Sequence, residues 1–197
     1  MTLILASASE SRARILRAAG VPFEIKPAHV DEESTKEALL AERANHAAVA
    51  DALAELKAVR VSIAHPGAFV LGADQVGSFE GSLLSKCESM DEAADLLRRM
   101  RGKTHELISA VVLAKGSAAI WRHTSRARLT MRNFSEAFLA GYLAREGEVL
   151  LKGVGCYRIE GPGAQLFEKI DGDYFSIQGL PLVPLLAALR TQGVIAT

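Results

Sequence analysis

The sequence has 197 residues, with 23 Lys plus Arg set against 23 Asp plus Glu. That length accommodates a sizeable core, and we expect a single folding unit with two lobes over residues 1–197. A formal net charge of zero supplies no overall field to hold the chain on nucleic acid or an anionic membrane, so an anionic ligand has to be met by a local cluster.

The apolar runs, such as VVLA at 111–114, fall far short of the roughly 20 residues that span a bilayer. MTLILASAS has no basic leader before its short apolar run and reads as a strand, so a cytoplasmic location with no membrane partner is expected. Cys87 and Cys156 make no C-x-x-C spacing and read as ordinary reduced thiols.

In chain order, the LILA strand is followed by a helix from about Ser9 to Gly20, a residue suited to the position after a helix end. FEIK at 23–26 is a second strand. Residues 35–60 predict a long helix or a helix pair, with Val49, Leu53 and Leu56 on one face. AFVLGAD at 68–74 predicts a buried strand ending in a carboxylate, then a hairpin around Glu80 and Gly81.

Ser89 to Glu92 fits a capping box, and Ala93, Leu96, Leu97 and Met100 make a helical stripe stopped by Gly102. Residues 104–132 predict a pair of long antiparallel strands, with Arg126, Arg128 and Arg132 alternating against Ala127, Leu129 and Met131. Ser135 caps a helix bearing Phe138, Leu139 and Tyr142. A glycine-rich stretch leads to the strand-like AQLFEKI, and GLPLVPLLAALR closes the chain as a helix begun at Pro181.

Three places can carry chemistry. In LASASESR, Ser7 to Glu10 spells a capping box, which leaves Ser9 and Arg12 without a structural reason. A strand-to-helix turn aims backbone N–H groups and the positive helix end at one spot, and serine hydroxyls with a first-turn arginine would complete a phosphate cradle. Asp74 either holds a metal or activates a water, or is a turn residue. Lys86 either meets a phosphate oxygen or is a solvated surface group.

Other chemistries lack their signatures. The five histidines form no H-E-x-x-H pair, and the chain contains neither G-x-x-x-x-G-K-[ST] nor G-x-G-x-x-G. The basic residues at 98–103 and 126–132 read as a solvated face, since few aromatics accompany them for base stacking.

Taken in order, LASASESR, VDE at 30–32, LAELKA at 53–58, LGADQV, SK at 85–86, RGKTHE at 101–106, GCYRIEG and IDGDYFSIQGLPL resemble the Maf family of nucleoside triphosphate pyrophosphatases along nearly the whole chain. The resemblance implies an α/β, ITPase-like fold: an elongated mixed sheet with flanking helices, a cleft between two lobes and a homodimeric assembly. It also implies hydrolysis of a nucleoside triphosphate between its α and β phosphates with a divalent cation, Mg²⁺ or Mn²⁺.

By position, the resemblance implies that Ser9 and Arg12 hold the triphosphate and that Asp74 is the general base or a metal-linked acid. Glu32 would assist with the metal, while Lys57 and Lys86 neutralise phosphate charge. Ser11, Gln75 and Glu160 stand where the family divides by base, and two of these three favour the branch resembling 7-methyl-GTP pyrophosphatases. A carboxylate at Glu160 can accept from the N1–H and amine of a guanine, so a purine is expected rather than dTTP or UTP.

The chain departs from the family's usual pattern at Glu10, Ser11, Leu56 and Cys87. The family name also carries an alternative from another class, a septum-formation inhibitor acting through protein contacts.

Overall fold

The computed structural model describes residues 1–197. Strand β1 (Leu3–Leu5) feeds helix α1 (Glu10–Ala18), β2 (Glu24–Ile25), α2 (Glu32–Ala41) and α3 (His46–Ala64). Then come β3 (Phe69–Phe79), β4 (Ser82–Leu84), α4 (Met90–Met100), β5 (Thr104–Lys115) and β6 (Ala118–Met131). Helix α5 (Glu136–Glu146), two 3-10 turns, β7 (Phe167–Asp171), α6 (Tyr174–Ile177) and α7 (Leu182–Thr191) complete the chain. No helix is long and apolar enough to cross a membrane.

The strands make one seven-stranded mixed sheet in the order β2-β1-β3-β5-β6-β7, with β4 paired to β3. β1 lies parallel to both β2 and β3, with Leu3, Ile4 and Leu5 opposite Phe69, Val70 and Leu71. The three residues of β1 are all buried, as expected of a strand covered on both faces. A mixed α/β sheet with flanking helices is thus the observed fold class.

Two hairpins follow from residues with positive φ. Glu80 and Gly81, at +51° and +82°, join β3 to β4, and Gly116 and Ser117, at +57° and +68°, join β5 to β6. Paired positive φ values match the twist of the flanking strands.

The chain divides into two compact units. The first comprises Met1–Gln75, Ile108–Ser125 and Asp173–Thr197. Its core joins Leu5 and Leu16 to Leu71, Leu113, Leu185 and Leu189, each such buried leucine contributing on the order of 2 kcal/mol. The second comprises Val76–Leu107 and Arg126–Gly172. There the α4 stripe of Ala93, Leu97 and Met100 packs with Met131, Phe134 and Leu139.

Several boundaries differ from the sequence expectations. FEIK contributes only Glu24 and Ile25, both exposed at the sheet edge. AQLFEKI is not all strand, because Pro162 starts a 3-10 turn that runs to Leu166 before β7 begins. The residues from 35 to 60 form a helix pair, and the buried stripe of α3 is Val49, Ala50, Leu53, Ala54, Lys57, Ala58, Val61 and Ser62. Leu56 is 36% exposed, one step off that stripe, and a lysine occupies the place expected of an apolar residue.

β3 does not end at Asp74 but continues through it to Phe79. Asp74 is buried and charge-paired rather than turned out to solvent, so no turn is needed there. Where β3 meets α3, a Cβ on Gly72 would overlap the Ala54 carbonyl and lie 2.6 Å from the Ala58 nitrogen. The bare glycine lets helix backbone approach strand backbone closely.

Candidate active site

The turn from β1 into α1 is capped by Ser9, not Ser7. Ser9 has extended φ and ψ and its Oγ accepts from the Arg12 N–H at 3.5 Å. The Ser7 hydroxyl, expected to make the capping box, instead accepts from the Ser9 N–H at 3.3 Å and from Arg12 Nη1 at 2.9 Å. Two cap candidates two residues apart compete for one helix end, and the first is drawn away by the stronger, charge-assisted bond.

Arg12 is only 9% exposed. Its Nε donates to the Gly179 carbonyl at 2.9 Å. Burial pushes the guanidinium down from its ordinary value, while Asp74 and Glu32 pull it back up. Arg12 is thus within electrostatic reach of both carboxylates.

On the next strand, Asp74 Oδ1 accepts from Lys57 Nζ at 2.7 Å, the two side chains being 7% and 8% exposed. The same ammonium lies 2.9 Å from Glu32 Oε1, on a side chain 43% exposed. Glu32 is the first residue of α2, whose N-cap is Asp31. One buried cation thus joins a buried and a half-exposed carboxylate, the latter opening to water.

Gln75 hydrogen-bonds through Nε2 to Ser109 Oγ, Ser176 O and Ile177 O at 2.8, 3.1 and 3.0 Å. Ser11 is half-buried in the first turn of α1. The structure thus brings Asp74 and Glu32 together on the Lys57 ammonium, with Ser9, Ser11, Arg12 and Gln75 on the same unit.

Lys86 and Glu160 belong to the second unit. Lys86 is exposed in the segment after β4. It lines a hollow of about 460 Å³ with Phe79, Leu84, Cys87, Glu92 and Arg99, which holds no residue of the Lys57 cluster. Glu160 Oε1 lies 3.6 Å from Arg158 Nε, its side chain 12% exposed.

Sequence reasoning passed over Ser109, Ser176 and Gly179, which contact Gln75 and Arg12. Ser176 and Gly179 do so through backbone carbonyls, and a carbonyl leaves no mark on residue type.

No group of three or more His, Cys, Asp or Glu side chains is placed to hold a metal. Two carboxylates, Asp74 and Glu32, converge on one ammonium. That pair fits a hard divalent cation of the kind held by one or two carboxylates and completed by substrate phosphate oxygens. It does not fit an ion bound by protein alone.

Residues 2–192 match the family model described as Maf-like protein. The chain belongs to the Maf family. A relative from Granulibacter bethesdensis named nucleoside triphosphate pyrophosphatase is 50% identical over 190 residues, covering 96% of each chain. One of the same name from Caulobacter vibrioides is 51% identical, over 97% of this chain and 96% of the relative. A Brucella suis relative named 7-methyl-GTP pyrophosphatase is 47% identical, over 98% of this chain and 97% of its own. The Maf-family match thus spans both compact units.

Proposed function

We propose that this Maf-family chain is a nucleoside triphosphate pyrophosphatase, hydrolysing the α–β phosphoanhydride to a nucleoside monophosphate and pyrophosphate. The observation that carries the reading is the buried contact of Lys57 with Asp74, open through Glu32 to solvent. The names of close relatives support it.

In this reading Asp74 takes the proton of the attacking water on a carboxylate oxygen. The Lys57 ammonium is the buried countercharge of that carboxylate. Arg12, held by Gly179 and Ser7, offers its further N–H groups to the triphosphate. The start of α1, with Ser9, adds backbone donors and the positive helix end.

Asp74 and Glu32 would hold a divalent cation, Mg²⁺ or Mn²⁺, together with phosphate oxygens. When bound, it neutralises phosphate charge and polarises the phosphoryl group.

The base we propose is a purine of the 7-methyl-GTP kind. The name of the Brucella relative supports this assignment. A cytoplasmic homodimer belongs to the same proposal and is tested by sedimentation and fractionation.

The deciding assay measures pyrophosphate release from GTP, 7-methyl-GTP, dTTP and UTP with Mg²⁺ or Mn²⁺. We expect pyrophosphate, not orthophosphate, with 7-methyl-GTP preferred. Release of orthophosphate, or no release from any triphosphate, sinks the reading, and a preference for dTTP or UTP sinks the choice of base alone.

A further inference from the structure

Gln75 directly follows Asp74 on β3, at a position expected to select the base. Its surroundings give it other work. Ser176 O and Ile177 O are carbonyls and can only accept, so the nitrogen of the Gln75 amide has to face them. Ser109 Oγ, 2.8 Å from the same nitrogen, spends its own hydrogen on Ser176 O at 2.7 Å. The amide hydrogens are therefore committed to the protein and leave none to offer a base.

What they hold is the end of α6 and the turn that follows it. Ser176 O also accepts from Gly179 N at 2.9 Å, and Asp173 Oδ2 takes both the N–H and the hydroxyl of Ser176, at 2.7 and 2.6 Å. Gly179, at φ +93°, reverses the chain and presents its carbonyl to Arg12 Nε at 2.9 Å. A Cβ there would stand 3.4 Å from that Nε. The four residues 176–179 are thus hung at one end from β3 and β5, and grip the arginine at the other.

We infer that Gln75 and Ser109 are positioning residues for polyphosphate binding: they fix the 176–179 turn, and its Gly179 carbonyl fixes the guanidinium of Arg12 relative to Asp74. The inference rests on the reading that Arg12 meets the triphosphate. It replaces base selection with orientation as the work of Gln75, and gives Ser109 a role.

The test uses two variants of the full chain, Gln75→Met and Ser109→Ala, with the fold checked by circular dichroism and thermal melting. Affinity is measured for inorganic tripolyphosphate, which has no base, and kcat and KM for GTP, 7-methyl-GTP and dTTP. Losing this hydrogen-bonded support should weaken tripolyphosphate binding about tenfold in each variant. It should also raise KM by a similar factor for every base, so that the ranking of bases is unchanged.

Unchanged tripolyphosphate affinity with a reordered base ranking in Gln75→Met would show that Gln75 reads the base, and overturn the inference. So would a Ser109→Ala protein that binds tripolyphosphate as the wild type does. A wild type that binds no tripolyphosphate removes the phosphate role of Arg12 and overturns the inference with it. A wild type that binds tripolyphosphate but hydrolyses no nucleotide defeats the pyrophosphatase reading, and the inference then stands or falls on the binding of the variants.

Discussion

Lys57 Nζ stands 2.7 Å from Asp74 Oδ1, and more than nine-tenths of each side chain is buried. The two partners are not equally dependent on the pair. Lys57→Met leaves a buried carboxylate without its countercharge and should cost about 3 kcal/mol. Asp74→Asn leaves the ammonium still facing Glu32 at 2.9 Å and should cost only about 1 kcal/mol. Both should lose pyrophosphate release, Asp74→Asn by about 10²-fold or more. Urea midpoints set beside initial rates check the contrast: equal stability losses would refute it.

The metal prediction separates Glu32 from Asp74. With no three-ligand protein site, a divalent cation should bind weakly to the free protein and tightly only with substrate. EDTA should abolish hydrolysis, and added Mg²⁺ should restore it. Glu32→Gln should raise the Mg²⁺ concentration for half-maximal rate about tenfold, within the range that loss of one metal-site group produces. Calorimetry showing tight Mg²⁺ binding without nucleotide would contradict the shared site.

His105 sets a pH dependence on stability in the second unit. It is 2% exposed, its Nε2 is 2.6 Å from Tyr157 Oη, and its Nδ1 has no hydrogen-bond partner. Burial lowers its pKa from 6.5 to about 4. Below pH 6.5 the unfolded chain takes up a proton that the folded chain refuses until about pH 4. Stability is therefore fully present above 6.5 and falls as the pH drops through that window. By pH 5 the loss from this residue should be about 2 kcal/mol. Denaturant midpoints between pH 7 and 5 should fall in the wild type and fall less in His105→Gln.

Much of the fold was legible because its signals are local. The hairpin at Glu80–Gly81, the Ser89 and Ser135 caps and the alternation along 126–132 all appear in neighbouring letters. Lys57 had a signal that went unused: on α3 it falls in register with Leu53, Ala54, Ala58 and Val61, and an ammonium on a buried stripe requires a buried anion. Asp74 was found, but its setting in mid-strand was not, since that depends on Lys57. The diversion of Ser7 to Arg12 and the grip of Gln75 on residues 176–179 depend on chain segments far apart in sequence.

Gly72 offers a test of how tightly the Lys57 contact is set. A methyl there meets the backbone of α3 at Ala54 and Ala58, on either side of the turn that carries Lys57. Gly72→Ala should force helix from strand, cost about 2 kcal/mol or more, and slow hydrolysis by displacing the ammonium from Asp74. A variant with wild-type melting temperature and rate would show that the approach tolerates a methyl.

The bond from Arg12 to the Gly179 carbonyl spans 167 residues. Synthesis runs from the N-terminus, so the arginine is made 167 residues before its acceptor. A nascent chain can pair Lys57 with Asp74 long before it can seat Arg12. The Arg12 anchor is therefore closed later in the growth of the chain than the Lys57–Asp74 pair, whose partners are only 17 residues apart.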